Sequence, residues 1–224
     1  MGIKENLELV YKDIKEYSKS DVKLLAVTKL HDVSEINEAI SYGVTDIAEN
    51  KVQEILNKYD RVSPVKWHLI GHLQTNKVKY IIDKVSMIHS VDSLKLASEI
   101  DKRASNINTT MDILLQVNIA REESKYGIYI EDLPNILKEV SKLKNVNLMG
   151  LMMIAPYSDN PEDVRKYFKG MKDLYDKYKE EFGFKYLSMG MSNDYKVALE
   201  EGSNVIRVGT KIFGNRDYSK KQGK

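Results

Sequence analysis

The sequence predicts a single (β/α)8 barrel, and three observations carry that prediction. Eight short apolar runs, rich in β-branched residues, alternate along the chain with segments of helical period. The length of 224 residues falls within the usual range for one such barrel. The first strand-to-helix turn, Thr28-Lys29-Leu30-His31-Asp32, contains no glycine. It therefore cannot form the glycine-rich phosphate turn of an open nucleotide-binding sheet, the other architecture open to such a pattern.

The elements follow in order. An opening helix carries Leu7, Val10, Tyr11 and Ile14 on one side. Strands are expected at 22–28, 44–48, 65–71, 85–90, 111–118, 147–154, 185–189 and 204–208. Their near-continuous apolar content suits strands buried on both faces. Val33, Ile36, Ala39 and Ile40 form a helical stripe behind a capping Asp32. Leu133, Ile136, Leu137 and Val140 form another. Val164, Tyr167, Phe168, Met171, Leu174, Tyr175 and Tyr178 share one helix face, behind Asn160-Pro161 as cap and first turn. The last predicted helix, 193–201, starts with Ser192 near its cap. Residues 1–218 are expected to form one domain, with 219–224 a disordered polar tail.

Composition narrows the function. The chain has 35 Lys+Arg, 33 Asp+Glu and no cysteine. The balanced charge gives no reason to expect a nucleic-acid partner. The absence of cysteine excludes disulfides, thiolate metal sites and a cysteine nucleophile. No apolar run approaches the roughly 18 residues that span a bilayer. The charged N-terminus does not read as a secretory signal, so a cytoplasmic protein is expected; separately, a monomer is expected. His68 and His72 have the spacing of a zinc helix, but the strand-like WHLIG around them argues against that site. Met149, Met152 and Met153 read as core.

A barrel works at the C-terminal ends of its strands. Two features there bear on chemistry. Lys29 directly follows the apolar run of the first strand, and partial desolvation favours the neutral amine needed to form a Schiff base with a carbonyl. Gly190, Ser192, Gly209 and Thr210 follow the last two strands, where barrels often hold phosphate. Together these features suit a phosphorylated carbonyl compound, either pyridoxal 5′-phosphate or a sugar phosphate in a Schiff-base aldolase. Arg207, two residues before Gly209, shares its side of the last strand. A guanidinium there could donate to a pyridine nitrogen and keep it unprotonated. It could equally close the barrel as an ion pair with Glu49 or Asp194.

Eight ordered segments resemble the pyridoxal phosphate homeostasis protein family, which is related to the barrel of bacterial alanine racemases. They are LLAVTK (24–29), AENKVQE (48–54), WHLIGHLQTNK (67–77), HSVDS (89–93), SKYG (124–127), LMGLMMIAP (148–156), LSMGMSNDY (187–195) and VIRVGTKIFGNRDY (205–218). The resemblance implies that Lys29 carries pyridoxal phosphate as a Schiff base. It implies that Ser192, Gly209 and Thr210 bind the phosphate, and that Arg207 faces the pyridine nitrogen. Asn50 lies in a family motif near the cofactor. The chain departs from the family pattern at Ala48, Lys51 and His31. The resemblance implies a cofactor-binding protein, with apo-enzymes as recipients, rather than a racemase, because the chain has no room for the racemases' second catalytic domain.

Overall fold

The computed structural model describes residues 2–123 and 125–214. Eight parallel strands close in chain order: β1 (Lys23–Val27), β2 (Asp46–Glu49), β3 (Lys66–Leu69), β4 (Met87–Val91), β5 (Met111–Gln116), β6 (Val146–Met152), β7 (Tyr186–Met191) and β8 (Val205–Val208). β8 pairs back onto β1, with Leu25 opposite Arg207 and Ala26 opposite Val208. The fold is thus the expected (β/α)8 barrel.

Helices cover the outside. They are α1 (Ile3–Tyr17), α2 (Val33–Ser41), α3 (Val52–Lys58), α4 (Leu94–Asn106), α5 (Leu133–Val140), α6 (Arg165–Phe182), α7 (Tyr195–Glu200) and α8 (Thr210–Phe213). Between β3 and β4 the chain makes a short 3-10 segment, Thr75–Tyr80, in place of an α-helix. The opening helix packs Ile3, Leu7 and Val10 inward, as the apolar stripe requires. α4 starts on Ser93, whose Oγ accepts the backbone N–H of Leu96 at 3.3 Å.

Strand alternation separates two cores. One face of each strand meets the helices; the other fills the barrel. Leu25, Val27, Ala48, Ile70 and Val205 form one apolar cluster inside, and Met87, Leu114 and Met152 form another. Gly150 lets β6 pass β7 closely. A Cβ there would sit 1.9 Å from the Tyr186 carbonyl oxygen, and the φ of +149° disfavours any side chain.

Two boundaries differ from the sequence reading. The segment behind Asn160 opens as a 3-10 turn, Pro161–Val164, before α6 begins. Asn160 still caps it, its Oδ1 accepting the N–H of Glu162 at 3.2 Å. The last long helix is shorter than expected and starts on Asp194, not Ser192. Asp194 Oδ1 ties back to the Met191 N–H at 2.5 Å, which leaves Ser192 in the preceding turn. The seven apolar positions on α6 and its first turn do share a face: Val164, Phe168, Met171 and Tyr178 are buried, and the other three are half-buried. The tail 219–224, like 215–218, lies outside the described residues.

No helix among the described residues is long and apolar enough to cross a membrane.

Candidate functional site

The six residues singled out from the sequence sit on four neighbouring strands. Lys29 follows β1, Asn50 follows β2, Ser192 follows β7, and Arg207, Gly209 and Thr210 belong to β8 and its end. The closed order places β7, β8, β1 and β2 side by side. The six therefore share one half of the barrel, toward its C-terminal mouth.

Lys29 lies in a tight turn. The N–H of His31 donates to the Thr28 carbonyl at 3.1 Å, and Leu30 adopts a left-handed φ of 65°. Leucine disfavours that conformation, and a buried polar cluster holds it there. The Leu30 N–H donates to Glu54 Oε2 at 2.9 Å. Thr28 Oγ1 donates to Glu49 Oε1 at 2.7 Å. Lys58 Nζ joins all of these, donating to the Thr28 carbonyl (2.9 Å), Glu49 (2.7 Å) and Glu54 (3.0 Å). The strand phase that turns Leu25 and Val27 inward extends to Lys29, which is half-buried.

Glu49 is completely buried. Burial raises its carboxyl to about 7, against the opposing pull of the Lys58 ammonium. Glu49 thus pairs with Lys58 and not with Arg207, which removes one of the two ion pairs considered for that arginine.

Arg207 is buried in the barrel with neutral acceptors. Nη1 donates to Ser188 Oγ at 2.7 Å and Nη2 to the Met153 carbonyl at 2.7 Å. No carboxylate among the described residues forms an ion pair with it; Asp194 acts only from a distance. Burial lowers the guanidinium to about 10, with Asp194 opposing.

At the end of β8, Ser192 Oγ accepts the Gly209 N–H at 3.1 Å, so the loops after β7 and β8 meet. Thr210 opens the short α8 beside them, half-buried. Two strands away, after β2, Asn50 Oδ1 is buried without a hydrogen-bond partner among the described residues. Gly71 backs Asn50 closely: a Cβ on Gly71 would lie 2.2 Å from the Asn50 carbonyl oxygen. A buried unpartnered acceptor is costly unless something else satisfies it. An amine, a hydroxyl, a backbone amide and, among the described residues, a guanidinium without an ion pair are donor types that would suit a ligand with an aldehyde, a phosphate and a ring nitrogen, as pyridoxal phosphate has.

The positions that depart from the family pattern also have structural partners. His31 stacks on Phe213 with ring centroids 4.6 Å apart, and the Asp32 N–H is capped by Glu35 at 2.8 Å. Ala48 lies in the inner apolar cluster, and Lys51 is exposed at the start of α3.

The sequence reading did not single out Lys58, Glu54, His89 or Ser188, and it weighed His68 only as a metal ligand. His68, His89 and Ser188 are polar residues at inward positions of apolar strands, and that was the signal available for them. His68 and His72 diverge. His68 points into the barrel toward Asp46, and His72 stands at the rim, 3.1 Å from Asp92 and stacked on Tyr126. A groove of about 1040 Å³ opens at the opposite end of the barrel beside Asp112 and Asn147. Those two pair with each other at 2.9 Å.

The chain belongs to the alanine racemase N-terminal domain family, whose profile residues 3–217 match. Among its relatives are the pyridoxal phosphate homeostasis proteins. The one from Aquifex aeolicus (strain VF5) is 45% identical over 200 residues, 88% of each chain. The one from Synechocystis sp. is 36% identical, over 92% of this chain and 97% of that protein. The structure of PipY from Synechococcus elongatus PCC7942, solved with PLP bound, superposes with a TM-score of 0.86 at 32% identity. That match covers 95% of this chain and 100% of PipY.

Proposed function

We propose that this chain binds pyridoxal 5′-phosphate reversibly through Lys29 and serves in the homeostasis of that cofactor. One observation carries the reading most directly. An amine on a rigid turn, a buried guanidinium without an ion pair, and a hydroxyl–amide pair occupy adjacent strand ends of one barrel.

Lys29 would hold the cofactor by its aldehyde: its amine would condense with the carbonyl carbon and release water, and uptake of water would reverse the link. Ser192, Gly209 and Thr210 receive the phosphate through hydroxyls and a backbone N–H. The Asn50 side chain supplies an acceptor for a donor on the ligand. Arg207 gives an N–H to the ring nitrogen, which stays unprotonated beside a cation. When bound, the cofactor supplies a reactive aldehyde and an electron-withdrawing ring. An arginine partner restrains the second property and leaves the first available for transfer. This favours a carrier over an enzyme, in keeping with the names of its relatives. Recipient apo-enzymes, a monomeric state and a cytoplasmic location belong to the same reading.

The test is spectroscopic. Purified protein mixed with pyridoxal phosphate is expected to gain a visible absorbance band that borohydride fixes and that Lys29→Ala lacks. A band of wild-type strength in Lys29→Ala defeats the assignment.

The family's kinship with alanine racemases favours a second reading, an amino-acid racemase. It requires α-proton exchange of an amino acid in deuterated water. Exchange no faster than that of free cofactor rejects it. A Schiff-base aldolase reading requires borohydride trapping of a sugar phosphate without the visible band.

A further inference from the structure

Through the middle of the barrel runs an unbroken file of polar side chains. Arg207 Nη1 donates to Ser188 Oγ at 2.7 Å. Ser188 Oγ lies 3.3 Å from His89 Nδ1. His89 Nε2 lies 3.0 Å from His68 Nδ1, and His68 Nε2 lies 2.9 Å from Asp46 Oδ1. All five residues are buried. At the far end Asp46 also accepts Lys23 Nζ at 3.1 Å and Thr45 Oγ1 at 2.7 Å.

The two ends of this file fix its direction. A guanidinium can only donate, and an ionised carboxylate can only accept. With one neutral imidazole on each step, a single arrangement satisfies every link. His68 carries its proton on Nε2 and gives it to Asp46, so its Nδ1 is an acceptor. His89 therefore carries its proton on Nε2 and gives it to His68, and its Nδ1 accepts from the Ser188 hydroxyl. The Ser188 oxygen is then left with lone pairs for Arg207. The reverse order would set the lone pair of His68 against the Asp46 carboxylate.

The charged groups around the file agree with this order. Burial lowers both imidazoles, His89 further because His68 and Arg207 are near. Lys23 and Lys66 also act against a charged His68, while Asp46 favours it. Burial would raise Asp46, but the hydrogen bonds from His68, Thr45 and Lys23 outweigh it and hold the carboxyl below its usual range.

We propose that Asp46, His68, His89 and Ser188 form a one-way positioning relay for Arg207. By fixing both tautomers, the relay makes Ser188 a committed acceptor and aims the guanidinium at the cofactor's ring nitrogen. This rests on the cofactor reading above. The four are positioning residues; none of them touches the cofactor in this scheme. The arrangement also meets the hydrogen-bonding need of a buried arginine without a carboxylate beside it. A carboxylate would compete with the ring nitrogen for the same N–H groups.

Two measurements test the relay, and the first needs no cofactor. Nitrogen NMR of the unloaded protein, labelled in its histidine rings, reads each tautomer directly. His68 and His89 are expected as neutral Nε2–H forms at neutral pH, taking up charge only at a lower pH than an ordinary histidine. At neutral pH, an Nδ1–H tautomer or an imidazolium at either position overturns the relay. The second measurement compares Ser188→Ala with Ser188→Thr in the loaded protein. Ser188→Ala is expected to weaken cofactor binding about tenfold, the loss of one charge-assisted hydrogen bond. It is also expected to shift the pH profile of the visible band, and Ser188→Thr, which keeps the hydroxyl, to restore both. Wild-type affinity and pH profile in Ser188→Ala overturn the relay while leaving the cofactor reading intact. A wild-type protein that gains no band at all overturns the cofactor reading and the relay's purpose with it, whatever the tautomers.

Discussion

Replacing Lys58 with methionine probes the support beneath Lys29. Met keeps the apolar length of the side chain and removes its three hydrogen bonds, to Thr28, Glu49 and Glu54. Glu49, with none of its side chain exposed, then loses its countercharge. Breaking a buried pair from one side costs about 3–5 kcal/mol. Set against a total stability of about 5–15 kcal/mol, that is a large share. The effect has a pH signature. In the wild-type protein the Glu49 carboxyl is raised from 4.5 to about 7. The folded state therefore holds this proton more tightly than the unfolded state does. The resulting stabilisation is complete below about pH 4.5, falls by about 3 kcal/mol as the pH rises to 7, and is constant above that. Without Lys58 the carboxyl rises further, so the fall continues past pH 7 at about 1.4 kcal/mol per pH unit. Urea unfolding of both proteins on either side of pH 7 measures this difference. Adding Glu49→Gln removes the charge and keeps an oxygen for Thr28, and most of the loss is expected to return. A Lys58→Met loss under about 1 kcal/mol, or parallel pH curves above pH 7, would refute this account of the turn.

Other substitutions follow from the same geometry. Gly71→Ala drives a Cβ into the Asn50 backbone and is expected to weaken cofactor uptake more than it lowers Tm; an unchanged titration of the visible band would remove Asn50 from the site. Gly150→Ala collides with the Tyr186 carbonyl and is expected to destabilise the barrel by about 2 kcal/mol or more in denaturant unfolding, with the far-UV spectrum retained. Ser93→Ala removes the cap of α4 and is expected to cost about 1 kcal/mol, measured the same way, with cofactor binding unaffected.

The barrel itself was legible in the sequence because its signal is local. Apolar runs buried on both faces, separated by stripes of helical period, leave few other arrangements. Lys29, Ser192, Arg207, Gly209 and Thr210 drew notice as candidates by their place in or just after a strand, whereas Asn50 and the roles proposed for all six came from the family motifs. What could not be read was which side chains meet across the barrel. Lys58 is one helix turn from Glu54, but its contacts with Glu49 and the Thr28 carbonyl depend on how α3 packs beside β1 and β2. The choice between Glu49 and a more distant Asp194 as partner for Arg207 was open in the sequence. Tertiary structure decided it by giving Glu49 to Lys58 and Arg207 to Ser188 and Met153. His89 and Ser188 are 99 residues apart in the chain and 3.3 Å apart in space. Periodicity assigns each of them an inward face. Only closure of the sheet, which brings opposite walls of the barrel within hydrogen-bonding distance, joins them into a file that ends on Arg207.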